Sequence, residues 1–263
     1  MPNLKSLLPV GLVRFLDYRK RLIGLNFPGY FSLDGKYRRG LEVSRIEIFP
    51  PQIRNNLRCV VDVGANIGEW STSIAILSKA QHIIAFEPIP DVFKILQDNA
   101  KTFPQIECVN SAVGSQIGEI IINIEENSSS VSSILTMRDE IRPIFGIARD
   151  VPRRVAVPMT TLDHTLAQHS EISLLKIDVQ GYEPEVLAGA HSTLKRTRVL
   201  MIEIVYAPYY EGDVQFETIH RIVTSLAPLK LYGISAPGYH PVTGQPLWAD
   251  AIYVQSEGSF NAG

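Results

Sequence analysis

From Cys59 onward, short apolar runs alternate with amphipathic stretches of helical period, and this alternation constrains the fold more than any other feature of the chain. Cys59-Val60-Val61-Asp62-Val63 reads as a buried strand with an acid near its end, followed by a Gly-rich turn. Trp70, Ile74 and Leu77 then share one face of a helix, His82–Phe86 reads as a second strand, and Val92, Ile95 and Leu96 mark a second helix with Asp91 in its first turn. Ile106 to Val113 reads as a third strand, and residues 172–178, 198–205, 229–234 and 250–255 supply four more. Helical patterns over 184–195 and at Ile219, Ile222, Val223 and Leu226 separate the earlier ones. Strands alternating with helices imply right-handed crossovers and a parallel sheet. Near-continuous apolar strands agree, because both faces of such a sheet are covered. The last two strand candidates are joined by a Gly/Pro-rich loop without a helix, which predicts an antiparallel hairpin. The expected fold is therefore α/β: a doubly wound, seven-stranded, mostly parallel sheet whose last strand is antiparallel.

Residues 115–160 break the rhythm with an extra strand pair around Ile120–Ile124 and a serine cluster at Ser128–Ser133. Insertions near the carboxyl ends of such strands cover the ligand crevice, so this one is expected to act as an acceptor-side lid within a domain spanning 57–263. Residues 1–56 have too few apolar positions for a core of their own and read as an N-terminal extension. Leu4, Leu8, Leu12 and Phe15 recur at helical spacing beside Lys5, Arg14 and Arg19. That pattern predicts a short helix packed on the domain, with peripheral membrane contact through residues 4–21 as the alternative.

With 25 basic against 27 acidic side chains, the charge balance disfavours a nucleic-acid partner. No apolar stretch reaches the roughly 18 residues of a membrane span. Cys59 and Cys108 are the two cysteines of the chain, too few for a disulfide framework and without metal-ligand spacing. They read as buried small hydrophobes in a reducing, cytoplasmic compartment. His82, His164, His169, His191, His220 and His240 form no H-x-H or H-E-x-x-H pattern.

The chemistry concentrates at strand ends. Gly64-x-Asn66-x-Gly68 opens the first helix, with Gly64 allowing a tight turn and Gly68 expected to let backbone approach a ligand. A dinucleotide fingerprint would require glycines where Asn66 and Glu69 stand, which argues against NAD or FAD. Glu87, nineteen residues past Gly68 at the end of the second strand, can accept two hydrogen bonds from a ribose diol.

These residues resemble the S-adenosylmethionine-binding signatures of class I methyltransferases, a Rossmann-like group, and within it the FkbM family. Asp62-Val-Gly-Ala-Asn-Ile-Gly68 looks like that family's first motif, Phe86-Glu87-Pro88 its second and Asn110-Ser-Ala-Val-Gly114 its third. Ser132-Ser133-Ile134, Thr161-Leu162-Asp163 and Leu175-Lys176-Ile177-Asp178-Val179-Gln180-Gly181-Tyr182-Glu183 continue in the family's order. Gln180 stands where the family usually has an acid. The resemblance implies that Asp62 and Gly64 lie beside the methionine moiety, Glu87 on the ribose, and Asn110 with Ser111 beside adenine. Asp178, at the crevice end of the fourth strand, is the expected base for an alcohol acceptor. Lys176 shares its strand face, and Glu203, at the end of the fifth strand, is the reserve carboxylate.

The expected activity is S-adenosylmethionine-dependent O-methyl transfer to a hydroxyl of a sugar, glycan or natural product, without a dedicated metal ligand set. A divalent ion between Asp178, Glu203 and substrate hydroxyls is the metal-dependent variant of that reading. The other function classes are an idle donor-binding scaffold and a nucleotide-dependent oxidoreductase.

Overall fold

The computed structural model describes residues 55–124, 132–145, 152–240 and 242–256. The expected helix at 4–21, nearly all of the N-terminal extension and Ser128–Ser130 lie outside the described residues. In chain order the elements are β1 (Cys59–Val63), α1 (Glu69–Leu77), β2 (His82–Phe86), α2 (Pro90–Ala100), β3 (Ile106–Val109), β4 (Ala112–Val113) and β5 (Gly118–Ile124). A 3-10 turn at Arg142–Phe145 precedes β6 (Arg153–Thr160), α3 (Leu162–Thr165), β7 (Leu174–Ile177), α4 (Glu183–Ala188) and α5 (His191–Lys195). The chain closes with β8 (Val199–Val205), α6 (Phe216–Leu226), β9 (Leu229–Ile234), β10 (Gly238–Tyr239) and β11 (Pro246–Gln255).

The main sheet runs β3-β2-β1-β7-β8-β11, with β9 and the two-residue β10 both pairing β11. β3, β2, β1, β7 and β8 are mutually parallel, whereas β11 is antiparallel to β8, β9 and β10. All seven expected strands are present, and β10 is an eighth that its Gly/Pro-rich surroundings concealed.

Period-two alternation sorts the strand residues between two helical layers. Val61, Val63, Ile84, Leu175, Ile177, Leu200 and Ile202 face one way, onto Leu162, Val186, Leu194, Ile219 and Val223 of α3–α6. Val60, Ile83, Leu174, Val199 and Met201 face the other way, onto Trp70 and Ile74 of α1. Most of these side chains have lost all contact with solvent, and full burial of each aliphatic side chain is worth about 1.5–3 kcal/mol.

Two expected elements are broken. The strand predicted over 106–113 stops at Val109, because the Asn110 amide turns back to donate to the backbone oxygens of Glu87 (2.9 Å) and Pro88 (3.0 Å). Ala112–Val113 then joins a separate sheet, β4-β6-β5, in which β5 and β6 are the extra strand pair expected within 115–160. The helix predicted over 184–195 divides at Gly189, where a Cβ would lie 2.0 Å from the Gly114 backbone oxygen. The second half restarts as α5 because Asp163 accepts from the Ser192 and Thr193 backbone N–H groups at 2.9 and 2.7 Å. Thr161 caps α3 through the His164 N–H, so Thr161-Leu162-Asp163 acts as a pair of helix caps.

Candidate active site

A crevice opens where the carboxyl ends of β1, β2 and β7 meet, beneath the second sheet. Val63, Gly64, Asn66, Phe86, Glu87, Ser111, Asp178, Val179 and Gln180 line it from the main sheet, and Ile122, Ser133 and Ile134 from the insertion. Its position at the strand ends is the ligand-binding position of open α/β sheets. Ile122 and Val157 pack with Ile89 and Val92, which anchors the second sheet on the start of α2 beside the crevice.

The turn after β1 depends on three left-handed positions at alternate residues: Gly64 (φ 80°), Asn66 (φ 50°) and Gly68 (φ 87°). Glycine adopts this region freely, and asparagine is among the side chains that tolerate it best. Gly64 and Ala65 both donate their N–H groups to the Phe86 carbonyl, at 3.1 and 2.8 Å, and this fastens the turn to the end of β2. At Gly68 a Cβ would meet Leu96 Cδ1 at 2.7 Å, so this glycine also permits α1 and α2 to close together.

Glu87 sits on the crevice wall and is 5% exposed. Its Oε2 accepts from the Asn66 N–H at 3.0 Å and its Oε1 from the Ile89 N–H at 2.8 Å. Burial pushes its pKa up to about 7, with Asp62 adding to the rise and the two backbone N–H groups opposing it. Each carboxylate oxygen has a second lone pair for an outside donor.

Around Asp178 lies a charge network. Lys176 Nζ is 3.3 Å from Asp62 Oδ1 and 3.3 Å from Asp178 Oδ2, and lies 5.7 Å from the centre of the Trp70 ring. Asp62 also accepts from Ser71 Oγ at 2.6 Å and has no solvent exposure. Gln180, itself left-handed at φ 57°, donates from Nε2 to Asp178 Oδ1 (2.8 Å) and Glu203 Oε2 (2.9 Å), while Tyr210 Oη donates to its Oε1 at 3.1 Å. Two carboxylate acceptors require the amide nitrogen, not the oxygen, on their side. Burial, then the charges of Asp178, Glu183 and Asp250, drive the Glu203 carboxyl well up from its ordinary range, against the pull of Lys176.

Gly64, Asn66, Glu87, Ser111 and Asp178 of the expected residues therefore share the crevice wall. Asp62 and Lys176 stand behind it as a buried ion pair, and Asn110 clamps the Glu87–Pro88 backbone. Glu203 is not at a strand end: it lies inside β8, opposite Asp250 of β11, and reaches Asp178 through Gln180. Glu183 is more than a dipole partner, since its Oε1 accepts from the Val179 N–H at 2.9 Å and burial lifts its pKa to about 8. Tyr210 carried no motif in the sequence. Gln180 carried one signal, its departure from an acid.

Among the described residues, no helix is long and apolar enough to cross a membrane. The family model described as the methyltransferase FkbM domain matches residues 62–228. The 2-O-methyltransferase NoeI of Sinorhizobium fredii is 23% identical over 174 residues, covering 63% of this chain and 71% of its own. The hexuronic acid methyltransferase AglP of Haloferax volcanii is 27% identical over 146 residues, covering 54% of each, so the chain spans about half the length of that relative. Among solved structures, methyltransferase FkbM from Methylobacillus flagellatus superposes with a TM-score of 0.48 at 14% identity, covering 92% of this chain and 60% of the other. Magnesium protoporphyrin IX methyltransferase from Synechocystis gives 0.47 at 11% identity, covering 94% and 92%.

Proposed function

Because the chain belongs to the FkbM methyltransferase family, we propose that it transfers the methyl group of S-adenosylmethionine to a hydroxyl of a sugar, glycan or related natural product. The observation that carries this reading is the convergence of Gly64, Glu87 and Asp178, from the ends of three neighbouring parallel strands, on one crevice. The naming of two similar proteins as a 2-O-methyltransferase and a hexuronic acid methyltransferase supports a sugar-type acceptor.

The chemistry of the Glu87 side chain supports donor binding in this crevice. A ribose diol offers two hydroxyl donors, and Glu87 presents a carboxylate on the wall whose oxygens each already hold one backbone N–H and retain a lone pair. The sulfonium of the donor supplies an electrophilic methyl. Asp178 takes the proton of the acceptor hydroxyl as the oxygen–carbon bond forms and the sulfur–carbon bond breaks. Lys176 and Gln180 hold the Asp178 carboxylate from two sides, and such positioning of the reacting groups supplies much of the acceleration in methyl transfer.

The raised pKa of Glu87 makes donor binding depend on pH. Only the ionised carboxylate accepts from both ribose hydroxyls, so S-adenosylhomocysteine should bind about tenfold more weakly at pH 6 than at pH 8, the ratio expected for a group titrating near 7. The unliganded protein should move the other way. A carboxyl raised from 4.5 to about 7 in the folded state stabilises it below pH 4.5 and loses that contribution as pH rises to 7. Calorimetric titration across this range measures the first effect. Glu87→Gln should flatten the profile, and Glu87→Ala should weaken binding by about 1.5–3 kcal/mol; a profile unchanged in Glu87→Gln removes Glu87 from the donor site.

The function itself is tested by incubating the protein and S-adenosylmethionine with a panel of hydroxylated sugars, glycans and natural products, read by mass for one added methyl group. Retained S-adenosylhomocysteine binding without turnover on any acceptor would leave the idle scaffold standing. A rise in melting temperature with NAD instead of S-adenosylhomocysteine would favour the oxidoreductase.

A further inference from the structure

A second cluster lies at the other end of the sheet, where the parallel strands begin. Cys59 opens β1 and His82 opens β2, and the two are partners in the strand register, so their side chains leave the sheet on the same face. His169, in the connection between α3 and β7, completes the group: its Nδ1 is 3.6 Å from Cys59 Sγ. The His82 and His169 rings lie 5.4 Å apart, centre to centre. One ligand atom from each of the three residues falls within 4.8 Å of the others.

We propose that Cys59, His82 and His169 form a binding site for a soft divalent transition-metal ion of the zinc class, separate from the crevice at the carboxyl ends of the strands. A thiolate and two imidazoles are ligands that zinc prefers, with metal–sulfur near 2.3 Å and metal–nitrogen near 2.0–2.1 Å. Those lengths in a tetrahedron give a sulfur–nitrogen edge of about 3.5 Å, and the observed Cys59–His169 separation of 3.6 Å matches it. Glu107 of β3 places its carboxylate 2.8 Å from His82 Nε2, in the manner of the carboxylates that orient histidine ligands.

Binding would release the Cys59 thiol proton to solvent as the sulfur–metal bond forms. The ion would tie the starts of β1 and β2 to the α3–β7 connection across 110 residues of sequence, which is a stabilising role.

The test uses the full chain, stripped by chelator and titrated with Co²⁺ under anaerobic conditions. The expected result is a saturating spectrum with a thiolate-to-cobalt charge-transfer band and the ligand-field bands of tetrahedral cobalt, both displaced by Zn²⁺. Cys108→Ser should keep the charge-transfer band, and Cys59→Ser should lose it. His169→Gln, which leaves the buried sulfur in place, should weaken cobalt binding by at least about tenfold and abolish the rise in melting temperature that Zn²⁺ gives the wild type. The proposal is overturned if no charge-transfer band forms, if the band survives in Cys59→Ser, or if His169→Gln binds cobalt as the wild type does.

Discussion

Asp178→Asn should lower turnover on a hydroxyl acceptor by about 10²–10⁴-fold, the usual contribution of a positioned general base, with S-adenosylhomocysteine affinity little changed. The substitution keeps size and shape, and an asparagine oxygen can still accept from Gln180 Nε2, now at 2.8 Å from Asp178 Oδ1. What it removes is the capacity to take a proton and the charge facing Lys176, whose other partner, Asp62, remains. The donor contacts proposed for Glu87 lie on a different strand, so binding and turnover should separate cleanly. The measurement is kcat on the best acceptor from the panel, beside calorimetric affinity and melting temperature for the same variant.

Glu203→Gln is the comparison that sharpens the assignment. Burial and three neighbouring carboxylates favour the protonated form of Glu203, and Gln180 stands between it and the Asp178 side of the crevice. Its loss should therefore cost less turnover than the loss of Asp178. Normal turnover in Asp178→Asn with a large drop in Glu203→Gln would transfer the role of base to Glu203. Normal turnover in both would leave proximity to the sulfonium as the main source of rate, and loss of donor binding or folding in Asp178→Asn would make that residue structural.

The main sheet was legible because its signal is local. A strand such as Val60–Val63 buried on both faces needs no partner to be recognised, and Gly64-x-Asn66-x-Gly68 announces its own left-handed turn. The misplaced boundaries have distant causes. Nothing near Asn110 reveals that its amide belongs to carbonyls 22 and 23 residues earlier, and Gly189 breaks a helix because of a carbonyl at Gly114. The same distance effect governs the candidate sites. Lys176 and Asp178 share a strand face, as alternation requires, but only the β1–β7 register brings Asp62 to the same ammonium. Cys59 and His169 are far apart in sequence and match no ligand spacing, yet the fold sets them 3.6 Å apart. Gln180 read as a departure from the family pattern, whereas its amide nitrogen donates to both Asp178 and Glu203.

Gly64→Ala should be the most damaging small substitution in the turn, and its cost can be separated into backbone conformation and contact. At φ 80° an alanine is strained wherever it stands, by about 1–2 kcal/mol. At Gly64 the added Cβ would also lie 1.9 Å from the Asp178 backbone oxygen and 2.9 Å from its carbonyl carbon. Neither atom can rotate away, because the Asp178 N–H is bonded to the Val63 carbonyl at 3.0 Å and the two strands are paired along their length. The ends of β1 and β7 must part, and forcing apart a packed contact adds about 1–3 kcal/mol. Gly212→Ala is the matched control, with φ 85° and nothing within 4 Å of the new carbon. For a domain of this size each kcal/mol shifts the melting temperature by about 2–4 °C. Gly64→Ala should therefore melt well below Gly212→Ala, and it should also lose S-adenosylhomocysteine affinity, because the same displacement moves the wall shared by Gly64 and Asp178. Equal melting temperatures in the two variants would mean that the strand ends yield at no cost, and that the glycine is needed for its backbone angle alone.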